Sequence, residues 1–398
     1  MKKWMLAAGL LAVLVGCNMS SVPEARDEAY KRWDHTRAKM LYGVAEEQLK
    51  VGQLDQARNK AQEALSLDAD YIEARTLLAK VYIEQGHYIM AIAELRKVIE
   101  NKADLAEAWY LLGVAQEKEG RLTEALASYR RAHALDDSHL AAVIAAAEVM
   151  VAMGRIKDAQ FYLEGYTHLA GDEVGMYELA ARLAMIRRQY DKAAKYYQQA
   201  LDVDYKNLRY RERMGRAQYF AGQHAQARET FVALLASKQY AAPAWMYTML
   251  GDCYMVENRP FEAQRVYRQA SQRSPSAPGV WVNLAKVALS INQPTQAVIA
   301  ADQALQRDEN CLDATLVLGY ALLRQMQVSR AIGVLTQATA VHPASGMLQC
   351  VLGQAHAAAG DYALAVQCYA KAAKLEPKST LARELLAGAD VKELSKID

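Results

Sequence analysis

Five cysteines and eight histidines are the side chains best suited to metal or redox chemistry in this chain of 398 residues, and their spacing denies most of it. The histidines form no HxxxH or HExxH arrangement, and no two cysteines stand at metal-ligand spacing. No Gly-rich phosphate loop, nucleophile elbow or recurring carboxylate pair is present either. Glu148 and Glu178 could be drawn as general acids, but a charge on a solvated helix face is the commoner origin of such residues. The chemistry that remains is recognition. Arg182, Arg209 and Arg216 stand among Met185, Ile186, Tyr219, Phe220, Trp245, Met255 and Val256, and Arg, Met and aromatic side chains are the types enriched where proteins bind one another. The sequence therefore predicts no enzyme, no cofactor and no metal.

Whatever binds must be positioned by repeated elements. Ala57, Ala91, Ala125, Ala159, Ala193 and Ala227 stand 34 residues apart, and Ala263, Ala297, Ala331 and Ala365 resume the step after two extra residues. Twelve residues before each lies another small one, as Ala45, Ala79, Gly113, Ala147, Ala181, Gly215, Gly251, Ala285, Gly319 and Gly353. With the alanine at position 20, units begin at 38, 72, 106, 140, 174, 208, 244, 278, 312 and 346, and together span 342 residues. Each unit carries two apolar runs of helical period around a polar break, hence two amphipathic helices. A residue at position 8 or 20 larger than Ala would force the helices apart, so bulk sits beside them, at position 7 and at position 24 (Tyr129, Tyr197, Phe231, Tyr267, Tyr369). A period of this length predicts a stacked solenoid.

The pattern Trp109-x-x-Leu112-Gly113, then Gly120, Ala125, Tyr129 and Ala132, with Pro275, Pro343 and Pro377 near unit ends, resembles the tetratricopeptide repeat. That resemblance implies an all-α right-handed solenoid of about ten repeats. It further implies that first helices line a concave groove through positions 2, 5, 9, 12 and 13. Carried over, these positions gather Arg182, Met185, Arg209, Arg216, Tyr219, Phe220, Trp245 and Met255 as a candidate groove for a protein client. Bulky residues at positions 12 and 13 could equally pack on the next repeat, and Trp245 could simply cover the insertion. The family's chaperone-binding members hold a carboxylate with Lys at position 5 and Asn at position 9, and neither type occurs at those positions here. Arg75, Arg211, Thr315 and Gln349 replace the aromatic expected at position 4, and Tyr166 and Leu234 replace a small residue at position 27. Repeats 4 and 6 are therefore expected to be distorted.

Lys2 and Lys3 precede an apolar run, Trp4 to Val15, whose helix would rise only about 18 Å, too little for a hydrocarbon core of about 30 Å. A positive start and a short apolar core describe a secretory signal, and Leu14-Val15-Gly16-Cys17 resembles the bacterial lipobox, which implies cleavage before an acylated Cys17. Asn18 rather than Asp after it implies the outer membrane, facing the periplasm. Loss of residues 1–16 leaves 382 residues with formal charge 0, and so no electrostatic footprint for nucleic acid. Cys253, Cys311, Cys350 and Cys368 read as free apolar fillers, with Cys350 and Cys368 the one pair placed to bridge in an exported protein.

The expected organisation is thus a signal at 1–16, a lipidated start with a short opening helix at 17–37, repeats 1–6 at 38–241, a bent junction near Gln239 to Pro243, repeats 7–10 at 244–379, and a capping helix at 380–398. The expected function is a lipid-anchored scaffold that holds a protein client during envelope assembly, similar in plan to the small lipoproteins that assist type IV pilus secretins. A polysaccharide-export or glycan-binding component is the alternative, because aromatic faces with Arg also suit sugars.

Overall fold

The computed structural model describes residues 21–237 and 239–394, so Cys17 and the apolar run before it lie outside the described residues. Among the described residues there are twenty-one α-helices, one 3-10 turn and no strand. First helices begin at Ile72, Ala106, Leu140, Val174, Leu208, Ala244, Pro278, Leu312 and Gly346, the first residue of each unit from the second onward. The chain is an all-α solenoid of stacked helix pairs.

Its close contact is the one between positions 8, 20 and 24. All ten position-20 alanines are fully buried. A Cβ added to Gly113 would lie 2.6 Å from Tyr129 Cδ1, and one on Gly215 would lie 2.7 Å from Phe231 Cε1. Gly251, Gly319 and Gly353 face Tyr267, Leu335 and Tyr369 in the same way. Where position 8 is Ala, at Ala45, Ala79, Ala147 and Ala285 position 24 is the smaller Ala61, Leu95, Leu163 or Ala301, while in repeat 5 Ala181 stands with Tyr197.

Each pair of helices turns through a left-handed residue at position 15, with φ between 56° and 87° in all ten repeats. Six are glycine, Asn258 and Asn292 suit the conformation next best, and Arg188 and Met326 adopt it at a cost of about 1–2 kcal/mol. The turn closes the helix end with backbone bonds; in repeat 3, Arg121 N–H donates to Gln116 O at 2.8 Å and Gly120 N–H to Glu117 O at 2.9 Å. In repeats 2, 3, 5, 6 and 8, position 4 latches the repeat to the connection before it. Trp109 and Trp281 Nε1 donate to Ala103 and Pro275 carbonyls at 2.9 Å, and Arg211 donates to Tyr205 O at 3.1 Å. Arg75 reaches Ala69 O in the same manner, so the two arginines are functional replacements for the aromatic.

Repeat 4 is distorted as expected. Its second helix ends early, Ile156–Glu164, and runs into the 3-10 turn Thr167–Leu169. The Tyr166 ring packs edge-on against His133 at 4.7 Å and Tyr162 at 5.1 Å rather than entering the space a small residue would fill. Repeat 6 departs from expectation. Its helix His224–Ala236 is regular and Leu234 is fully buried, because the longer connection to Ala244 lets Leu234 join Phe231, Met246 and Tyr247 in one core. For the same reason the insertion is not a division. That core runs without interruption from Ala227 to Ala355, and the chain instead separates into two compact units between Leu183 and Ala184. The opening helix is not separate either: Ser21–Lys50 is one helix of 30 residues that includes the first helix of repeat 1. After repeat 10, the helix Thr380–Leu394 buries Ala382 against Cys350 and Ala372, and Leu385 and Leu386 against Ala365 and Tyr369.

Two substitutions separate close contact from helix propensity. Gly113→Ala should lower stability by about 1–3 kcal/mol through overpacking, despite the better helix former. Gly333→Ala, mid-helix with nothing within 4 Å of its Cβ, should raise it by about 1 kcal/mol. Urea unfolding that ranks the two variants the other way would contradict the packing described. Met326→Gly should likewise gain on the order of 1 kcal/mol by removing a side chain from the left-handed turn, read as a higher thermal midpoint.

Candidate binding groove

First helices present positions 9 and 2 of successive repeats to each other, and in two places a cation meets an acid there. Lys80 Nζ lies 2.6 Å from Glu107 Oε1, and Lys286 Nζ lies 2.8 Å from Asp313 Oδ2. Such half-exposed pairs contribute about 0–1 kcal/mol each; their main effect is to leave those stretches without open charge.

Repeats 6 and 7 differ from those two junctions. Position 9 is Arg216 on the helix Leu208–Phe220, but position 2 of the next repeat is Trp245 on the helix Ala244–Val256. The guanidinium therefore lies over rings, 5.7 Å from the Trp245 centroid and 5.9 Å from that of Phe220. Arg216 has no carboxylate partner among the described residues, and it is exposed. Phe220 stacks on Tyr190 at 5.3 Å and is 41% exposed. Trp245 meets the buried Phe231 edge-on at 6.4 Å, so it closes the core with one side and faces Arg216 with the other.

Tyr219 stands beside Phe220, rings 5.4 Å apart, but its hydroxyl is committed. It donates to Asp252 Oδ2 at 2.8 Å, and Tyr267 donates to Asp252 Oδ1 at 2.6 Å. Burial first, then the Asp252 carboxylate, pushes both phenols above their usual range, so each stays a neutral donor. Tyr240 does the same toward Glu212 at 2.6 Å. The acids of this stretch are thus held by tyrosines, while the arginine is not held by acids.

Of the residues expected in the groove, the structure brings Arg216, Tyr219, Phe220 and Trp245 together. Arg209 is exposed two helical turns before Arg216 on the same face, with its backbone N–H bonded to the Asn207 side chain at 3.1 Å. Met255 and Met185 are only partly accessible, and Met255 packs on the core, which removes it as a free anchor. Arg182 belongs to the first unit, where its guanidinium lies 3.8 Å from Glu148. Glu148 is thereby a salt-bridge partner rather than an isolated acid. The four thiols described are free, and burial pushes Cys253 up to about 12 and raises Cys350 and Cys368, as befits apolar fillers.

Spacing alone did not reveal a second concavity. Tyr42, Glu46, Lys50, Glu73, Thr76 and Lys80 line a cleft of about 320 Å³ across repeats 1 to 3. Its residues stand at positions 2, 5, 9 and 13, but only the fold shows that Lys80 turns to Glu107 and leaves the cleft with mixed charge.

Comparison with known proteins sets the frame. Human cilia- and flagella-associated protein 70 is 26% identical over 135 residues, 34% of this chain and 12% of that protein. The chain thus spans about an eighth of the length of that curated relative. Among solved structures, the APC/C hetero-tetramer Cut9–Hcn1 aligns with a TM-score of 0.43 at 15% identity, over 88% of this chain and 76% of that one. YrrB, described as a TPR protein with an unusual peptide-binding site, aligns with a TM-score of 0.41 at 19% identity, over 48% of this chain and 98% of that one. Family models of the tetratricopeptide repeat match residues 48–114, 117–183, 178–243, 248–310 and 316–380, and the chain belongs to the tetratricopeptide repeat family.

Proposed function

We propose that this chain is a non-enzymatic scaffold, anchored by lipid on Cys17 to the outer membrane and facing the periplasm, that holds a protein segment while an envelope complex assembles. Proteins of this family generally mediate protein–protein interaction, and no enzymatic family is indicated. The observation that carries the binding reading is Arg216. Where Lys80 and Lys286 meet an acid at the next position 2, Arg216 meets Trp245, so its charge is open to a carboxylate from outside. A client with an acidic group beside an apolar side chain fits: the acid meets the guanidinium, and the side chain meets the exposed part of Phe220. The glycan alternative loses support from the same geometry, because the ring faces of Phe220 and Trp245 that a sugar would stack on are turned to Arg216. The anchor and the address rest on the lipobox-like quartet at 14–17 and on Asn18; acyl chains stabilise membrane attachment by about 0.8 kcal/mol per buried methylene.

Two experiments test this reading. In cross-linked pull-downs from membranes, Arg216→Glu should reduce client recovery about tenfold at low salt and much less at high salt, as exposed charges are screened over about 10 Å at 0.1 M. Phe220→Ala should reduce recovery at both salts alike, with helicity unchanged. Recovery of the same partners by both variants, or direct binding of soluble glycans that either variant abolishes, would remove the protein-client reading. For the anchor, Cys17→Ala should accumulate as uncleaved precursor, and mass spectrometry should find diacylglyceryl on the wild-type mature N-terminus; an unacylated N-terminus there defeats the lipid assignment.

A further inference from the structure

In every repeat after the first, positions 7 and 10 of the first helix face the preceding repeat and are buried, as is position 3 except in repeat 6, where Tyr210 is half-buried. Position 3 is Ala74, Ala108, Ala142 and Met176 in repeats 2 to 5, each with 0% exposure, and position 7 never exceeds 9% in repeats 2 to 10. Position 10 is Val81, Ala115, Val149, Leu183, Ala217, Cys253, Val287, Ala321 and Ala355, each exposed by 1% or less. Repeat 1 has the same positions on the helix Ser21–Lys50, and they are open: Met40 is 70% exposed and Val44 is 47% exposed. Position 10 is also the one place where the apolar residue is replaced by an acid, Glu47.

The open face is longer than one repeat. Tyr30, Trp33, Arg37, Met40, Val44, Glu47 and Val51 recur at alternating steps of three and four, with Tyr30 61%, Trp33 62% and Val51 67% exposed. This is the spacing of a helix–helix seam. Val51 continues the helix, its N–H bonded to Glu47 O at 3.1 Å. The opposite face is spent on repeat 1, where Ala38 and Ala45 are buried and His35 bonds Asp68 at 2.6 Å. Residues 26–33 are all exposed, so the first turns stand out from the repeat, and a helix that short is marginal in water by itself.

We propose that a second copy of this chain covers the stripe, through an antiparallel pairing of the two Ser21–Lys50 helices about a twofold axis level with Tyr42. In that register Trp33 lies opposite Val51, Met40 opposite Val44, and Arg37 opposite Glu47, each pair occurring twice. Every apolar residue from Trp33 to Val51 then meets an apolar one, Tyr30 lies beyond the paired stretch, and the single acid of the stripe meets its single base. That charge complementarity selects a copy over the other occupants. A further repeat would place an apolar residue against Glu47, and a bilayer would take both a carboxylate and a guanidinium into its contact face. The ion pairs already present, Arg37 with Asp34 at 3.8 Å and Glu47 with Lys50 at 2.8 Å, are exposed neighbours within one helix that exchange at little cost.

Sedimentation equilibrium of the full chain in density-matched nonionic detergent reads the mass directly. Wild type should be dimeric at micromolar concentration. Arg37→Glu and Glu47→Arg should each raise the dimer dissociation constant by about tenfold or more, and the double exchange should bring it back to within about threefold of wild type. Met40→Cys with Val44→Cys should give a disulfide-linked dimer on mild oxidation, where wild type gives none. A monomeric mass at all concentrations overturns the proposal, as does a dimer indifferent to both reversals or one that the double exchange fails to restore. A monomer in which the thiol of Met40→Cys is shielded from a soluble thiol reagent only when phosphatidylcholine vesicles are present would identify the occupant as the bilayer instead.

Discussion

Everything in this fold hangs on how closely two helices approach at positions 8 and 20. A crossing that tolerates no more than a methyl group fixes the backbone separation, and that separation decides what the neighbouring positions can be. The exchange between positions 8 and 24 is the clearest consequence. Gly113, Gly215, Gly251 and Gly353 each admit an aromatic ring into the space a Cβ would take, whereas Ala45, Ala79, Ala147 and Ala285 face Ala61, Leu95, Leu163 and Ala301. A glycine at position 8 thus makes room for a larger side chain opposite, although repeat 5 combines Ala181 with Tyr197 and repeat 9 combines Gly319 with Leu335. The hydroxyls of the admitted tyrosines then reach the groove side, where Tyr129 bonds Glu117 at 2.7 Å and Tyr267 bonds Asp252 at 2.6 Å. Core packing thereby supplies the donors that neutralise groove carboxylates.

That link explains why the groove is informative only at its exceptions. Where position 9 and the following position 2 are cation and acid, or an acid is held by tyrosines, the surface is electrically satisfied and offers a client little beyond shape. The Arg216–Trp245 pairing satisfies packing and leaves the charge over. A cation over aromatic faces keeps its in-plane N–H donors directed outward, which suits it to a carboxylate more than to another ring.

The period made the architecture readable because it is enforced at every unit: ten alanines at one phase determine where the helices of each unit begin, and from the second unit onward they begin there. Less was readable where one physical requirement can be met by several residue types. The left-handed turn at position 15 accepts Gly and Asn readily but also holds Arg188 and Met326 under strain, so composition alone obscures it. The latch at position 4 needs only a long donor, which is why Arg75 and Arg211 look like departures and act as replacements. Leu234 and Tyr166 break the same sequence rule with opposite results, because only Leu234 is followed by a connection long enough to let it into the core. Of the groove residues, Arg216, Phe220 and Trp245 were legible as types at expected positions. The pairing of Arg182 with Glu148 was not, since spacing does not show which neighbour a long side chain turns to.

The two ends of the array meet one constraint in different ways. A solenoid unit buries its inner positions against a neighbour, so the first and last units each carry a face that must be covered or made polar. At the C-terminal end the helix Thr380–Leu394 supplies the cover, with Ala382, Leu385 and Leu386 seated on repeat 10. At the start, position 10 has become Glu47, yet Tyr30, Trp33, Met40 and Val44 remain apolar and exposed. A face meant only for solvent would have lost those residues too, since a contiguous apolar stripe invites association. One acid kept among apolar residues, with one base at the matching distance along the helix, is instead the composition of a surface that excludes most neighbours and admits a complementary one.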